Sequence, residues 1–137
     1  MPGPARILPY PPGVARLVSF LERLARPPEE VRAENLREWV ATLPDVTPLS
    51  EVEARRRFRV AGIVQNIRID PRSGRDSIEA TIIDGSGAMI AKWLGRSSLH
   101  GVRLGVGLVL EGIVGIQEDE TVILNPEYDL VAGPEHG

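Results

Sequence analysis

The chain has 137 residues, 42% of them hydrophobic and 26% charged, which is enough for one domain with a core, or one domain plus an appendage, and too apolar to read as disordered. It contains no cysteine, so a disulfide framework and a thiolate metal site are excluded, and no apolar run reaches membrane-spanning length. The net charge of −3 is unevenly spread: residues 1–54 hold six Arg and eight acids, residues 55–104 hold ten basic residues and four acids, and residues 105–137 hold seven acids and no Lys or Arg.

A basic middle beside an acidic end hints at a polyanion-binding region. The competing reading is that acidic strands cancel basic ones once the chain folds. Fifteen of the sixteen basic residues are Arg, whose planar fork suits phosphate and whose flat face suits bases. The opening Met-Pro-Gly-Pro-Ala-Arg lacks the apolar core of a signal peptide, so a cytoplasmic protein is expected.

Residues 1–13 contain five prolines and two glycines and read as an extended lead-in. Val14, Leu17, Val18, Leu21, Leu24 and Ala25 recur at helical spacing and predict an amphipathic helix over 14–25. Pro27-Pro28 ends it and opens a second helix, with Glu29 and Glu30 near its positive end. The apolar stripe of that helix is Val31, Leu36, Trp39, Val40 and Leu43, and Pro44 stops it. The two read as a helical hairpin over 14–44. A connector follows over 45–56, with a helical turn at Pro48–Glu53, and it ends in Arg55-Arg56-Arg57.

A β domain is predicted over 57–132, with residues 133–137 as a tail. Its first strand, about 57–69, is long, and Gly62 marks an expected bulge or sharp bend. A turn-rich loop, Asp70 to Asp76, leads to strands at about 77–83 and 88–94, joined by Asp84-Gly85-Ser86-Gly87. Residues 95–107 form an irregular connection with four glycines. A fourth strand, about 107–116, turns at Gln117-Glu118-Asp119-Glu120 into a fifth at Thr121–Asn125, and Leu130-Val131 makes a short closing strand. Short strands with turn signals between them indicate a small all-β sandwich or barrel.

Enzyme chemistry finds little to work with. His100 and His136 are the only histidines, and neither has a partner at metal-ligand spacing. Ser97 and Ser98 near His100 do not make a nucleophilic system, and Asp84 has a turn role that accounts for it. A non-catalytic protein without cofactor or metal is therefore expected.

The ordered set Phe58-Arg59-Val60-Ala61-Gly62-Ile63-Val64, Ile83-Asp84-Gly85-Ser86-Gly87, Ala91-Lys92-Trp93-Leu94-Gly95, Gly105-Val106-Gly107 before Val109-Leu110-Glu111-Gly112, and Asn125-Pro126-Glu127-Tyr128 resembles bacterial OB-fold nucleic-acid-binding domains. It is similar to the wedge domain of the RecG branch-migration helicase and to small stand-alone actinobacterial OB-fold proteins. The resemblance covers roughly half the chain and implies a five-stranded Greek-key barrel. It also implies binding of single-stranded or junction DNA, with DNA ahead of RNA. There is no phosphate-binding Gly-x-x-x-x-Gly-Lys-Ser/Thr loop, so the chain cannot drive a helicase by itself.

OB-folds hold single strands with a basic groove and aromatic platforms, over strands two and three and between two flanking loops. On that pattern the phosphate contacts are Arg68, Arg72, Arg75, Lys92, Arg96 and Arg103. Trp93 has two readings, a stacking platform or a core residue. Met89, Ala91 and Trp93 share one apolar face with Lys92 on the other, which favours the core. Tyr128 is expected at the barrel's end with its hydroxyl bonded nearby. The acidic turn 117–120 would repel phosphate. The Arg55–Arg57 cluster is either a backbone track or a solvated linker. The rival function is a protein-interaction module on the same scaffold, with a protein partner or a homodimer formed through the N-terminal helices. Oligosaccharide binding would want more aromatics than this chain has.

Overall fold

A computed structural model describes residues 28–70 and 76–134 of the chain. The expected lead-in, the helix at 14–25, Arg72, Arg75 and residues 135–137 lie outside the described residues, so the helical hairpin is described only through its second helix. The chain divides between Val31 and Arg32 into two units, and the strands and their core belong to the second.

Helix α1, Pro28–Ala41, stops three residues before Pro44. The chain tightens there through i→i+3 bonds: the Thr42 and Leu43 amides donate to the Trp39 and Val40 carbonyls, both at 3.0 Å. The expected stripe does point inward. Leu36, Trp39 and Val40 are buried against Ala61, Ile63 and Val109 on the outer face of the sheet. The Trp39 indole donates to the Ala132 carbonyl at 2.8 Å. A 3-10 turn at Leu49–Glu51 stands where the helical turn in the connector was expected.

Six strands follow: β1 Arg57–Asp70, β2 Ser77–Ile83, β3 Ala88–Leu94, β4 Gly107–Gln117, β5 Glu120–Leu124 and β6 Glu127–Val131. Five of them close a ring in the order β1-β2-β3-β5-β4 and back to β1, with β3 and β5 parallel and the other pairs antiparallel. The expected closing strand is β6. It pairs with β4 over Gly107–Glu111 and lies outside the ring.

β1 serves both halves of the barrel. Its first half pairs with β4 and its second half with β2, and Ile63 is the hinge, opposite both Gly107 and Ile83. The expected bulge at Gly62 is corrected: the extra residue falls between Val64 and Asn66, at Gln65. Gly62 has a different reason to be glycine. A Cβ there would sit 2.8 Å from the Ile83 carbonyl oxygen and 2.9 Å from the Ile82 Cβ, so the backbones cross too closely for a side chain.

The barrel interior holds Val60, Val64, Ile78, Ala80, Ile82, Met89, Ala91, Trp93, Leu108, Leu110, Val114 and Ile123, with Leu49 and Leu99 joining from the connections. β1 is buried without alternation from Val60 to Val64 because the interior takes one face and α1 covers the other. The Asn125-Pro126-Glu127-Tyr128 segment ties β3 to β6. The Asn125 side chain accepts from the Leu94 amide at 2.9 Å, the Pro126 carbonyl accepts from the Trp93 indole at 3.0 Å, and the Tyr128 hydroxyl donates to the His100 carbonyl at 3.1 Å.

The turn between β2 and β3 does more than reverse the chain. Asp84 is 1% exposed. Its Oδ1 accepts from the Ser86 amide and hydroxyl and from the Gly87 amide, at 2.8, 2.7 and 3.0 Å, and its Oδ2 accepts from the Leu49 amide at 2.8 Å. One carboxylate thus shapes the turn and fastens the connector to it. Arg37 of α1 donates to the Gly85 carbonyl at 2.7 Å, so the helix rests on the same turn.

Candidate nucleic-acid interface

The period of two along β2 and β3 decides which side chains face outward. Ile78, Ala80, Ala91 and Trp93 point into the barrel, so Glu79 and Lys92 point out. The register sets Arg68, Glu79 and Lys92 side by side across β1, β2 and β3. Arg68 Nη2 lies 3.4 Å from Glu79 Oε1, and Lys92 Nζ lies 3.4 Å from Glu79 Oε2. The Glu79 side chain is 15% exposed and that of Arg68 61%, so Glu79 is the fixed member of the row.

This row lies in a groove of about 700 Å³. One wall carries Asp70 and Asp76, which flank the segment between β1 and β2. The other is the β4–β5 turn, with Gln117, Glu118 and Glu120. Ile90, Leu94 and Val122 give the groove an apolar floor. The described lining therefore carries five carboxylates and two cations, with Arg72 and Arg75 falling in the segment that joins Asp70 to Asp76. Glu118 and Asp119 have φ of 51° and 67° and are the central pair of a two-residue hairpin between paired Gln117 and Glu120. That is a type I′ turn, a conformation that favours Asn-Gly.

The four expected phosphate ligands that fall among the described residues do not form one cluster. Arg68 and Lys92 meet in the groove. Arg96 is exposed just past the end of β3, one residue after Gly95, whose amide donates to the Asp76 carbonyl at 2.9 Å. Arg103 lines a separate hollow with His100, Gly101, Val106, Leu130 and Val131. Trp93 takes the core reading. It is 4% exposed and meets Tyr128 edge-on at 5.7 Å, so it is not a stacking platform. None of the described aromatic residues lines the groove. Arg57 and Arg59 lie elsewhere, on the β1–β4–β6 face. There Arg57 reaches Glu111 at 3.4 Å and Glu127 at 3.2 Å, and Arg59 reaches Glu111 at 3.7 Å.

Glu79 was missed as a groove residue, although a signal for it existed. Counting outward from the Asp84–Gly87 turn in antiparallel register places residue 79 opposite residue 92. Among the described residues no group of three potential metal ligands gathers, and no helix is long and apolar enough to cross a membrane.

No family model matches the chain, and no curated protein matches it. Solved structures do. A RecG chain, in the structure of RecG bound to a three-way DNA junction, aligns with a TM-score of 0.55 at 16% identity over 67% of this chain. The barrel is an OB-fold. This chain spans only 13% of that RecG chain's length. The OBody AM1L10, in a structure bound to hen egg-white lysozyme, aligns at TM-score 0.49 and 20% identity, over 66% of this chain and 97% of that one. A Replication Protein A heterotrimer bound to single-stranded DNA contributes a chain at TM-score 0.45 and 15% identity, over 68% of this chain and 75% of that one. The ring order, the groove between the two connections and the RecG likeness agree on the fold.

Proposed function

We propose that this OB-fold is a non-catalytic nucleic-acid-binding protein that holds single-stranded or junction DNA through phosphate contacts. The observation that supports the reading is the groove itself, in which Arg68 of β1 and Lys92 of β3 both face outward beside Glu79. In the sequence Arg72 and Arg75 follow Arg68, and Arg96 follows the end of β3. The matched RecG structure holds a three-way DNA junction, which supports DNA as the ligand class. With no aromatic in the described lining, affinity comes mainly from phosphate and falls steeply with salt.

Fluorescence anisotropy with labelled single-stranded, duplex and forked DNA and single-stranded RNA, across a salt series, tests the proposal. Single-stranded or forked DNA should bind best, and replacing Arg72 and Arg75 by Ala should weaken binding and flatten the salt dependence. Absence of binding at low salt would overturn it. One observation favours a second reading, a protein-interaction module. Ile113, Ile116 and Leu124 are 53%, 56% and 43% exposed around a hollow of about 600 Å³ on the β4–β5 side.

A further inference from the structure

The outer face of β4 and β5 carries an apolar ridge beside a gap. Leu108, Leu110 and Val114 of β4 and Ile123 of β5 belong to the barrel interior, so Ile113 and Gly115 of β4 and Val122 and Leu124 of β5 lie on the outer face. Gly115 pairs with Val122, and the same register carried one residue past Val114 and Ile123 sets Ile113 beside Leu124. Ile113 and Leu124 are 53% and 43% exposed and form the ridge. Val122 is 4% exposed and Gly115 has no side chain, so the neighbouring row is recessed and lies in the hollow of about 600 Å³.

Among the described residues nothing accounts for glycine at 115. Its φ is not positive, and a Cβ there would meet no atom within 4 Å. Glycine weakens a paired strand, and it often marks a place where another backbone comes close. We infer that a second copy of this chain comes close here, packed face to face through β4 and β5 about a two-fold axis. The axis lies across the strands between the two rows. Ile113 and Leu124 of each copy then fill the recessed row over Gly115 and Val122 of the other. One face supplies both the ridge and the gap, as a two-fold contact requires of a single surface. The same axis brings Glu111 of each copy to Gln117 of the other, a carboxylate acceptor to an amide donor at both ends of the patch. Arg57 and Arg59 already neutralise Glu111 and Glu127 within each copy, at 3.2 to 3.7 Å, so this rim adds little charge repulsion. The contact does not depend on nucleic acid binding in the groove.

Sedimentation equilibrium of the full chain without nucleic acid tests the dimer. A dissociation constant of about 10 µM is expected, because a patch of a few side chains sits at the small end of specific interfaces. Gly115→Arg fills the recessed row from a position where its own Cβ meets no neighbour, and it should raise that constant at least about tenfold with the circular dichroism spectrum unchanged. Ile113→Lys with Leu124→Lys removes the ridge at two exposed positions and should do the same, and it carries the test if Gly115→Arg alters the spectrum. A chain that stays monomeric up to about 200 µM overturns the inference and leaves the nucleic-acid proposal intact. A dimer that the folded variants do not weaken overturns it as well, because the copies then meet through another surface.

Discussion

Replacing Asp84 by Asn probes how much of the fold hangs on one buried carboxylate. Three donors converge on Oδ1 and one on Oδ2. An Asn that keeps its carbonyl oxygen toward Ser86 and Gly87 must aim its amide at the Leu49 N–H, donor against donor, where a 2.8 Å bond stood. The flipped rotamer loses three bonds to keep one. The better arrangement still forfeits a charge-assisted bond and leaves a buried N–H unpaired, which together cost about 2–4 kcal/mol. For a domain of this size that lowers Tm by roughly 10 °C. Urea denaturation followed by circular dichroism measures the loss, and Asp84→Ala should lose at least as much. An Asp84→Asn variant within about 0.5 kcal/mol of wild type would refute the reasoning, because such a value is typical of surface sites without a structural role.

Other consequences follow from the same packing. Gly62→Ala should destabilise by about 1–3 kcal/mol in a urea titration, because its Cβ meets the Ile83 carbonyl and Ile82 at contact distances that real side chains avoid. Replacing Glu118 by Asn and Asp119 by Gly should raise stability by about 1 kcal/mol, because both positions have positive φ in a type I′ turn; thermal melting reads the change. Arg57→Ala removes two exposed ion pairs and should cost less than about 1 kcal/mol in the same assay. Trp93 and Trp39 are both buried, so saturating single-stranded DNA should leave tryptophan emission without the quenching that base stacking causes.

The β-strands were legible because their cues are local. Alternation of Met89, Ala91 and Trp93 marked the inward face of β3, Asp84-Gly85-Ser86-Gly87 marked its turn with β2, and the apolar stripe of α1 marked the face that it buries. Of the two expectations at Gly62, the bulge falls instead at Gln65, whereas β1 does change partner beside Gly62, at Ile63, and only the register of the partner strands decides between them. β6 was visible as Leu130-Val131 but too short, because Glu127 and Asp129 are acidic and flank Tyr128 in a segment that pairs with β4. In the groove, residue type found the cations but not their neighbours. The Arg68–Glu79–Lys92 row exists through register across three strands, and Arg103 falls in another hollow because the connection after β3 leads away from the groove.

Amide chemical-shift mapping with isotope-labelled protein and a short single-stranded DNA reads directly whether DNA lies along the Arg68–Glu79–Lys92 row. Shifts should concentrate at Arg68, Glu79, Ile90, Lys92, Gly95 and Arg96 and extend into residues 71–75, while α1 and Ile113, Ile116 and Leu124 stay unchanged. Shifts confined to those three residues, or none at low salt, would contradict the account and direct attention to a protein partner.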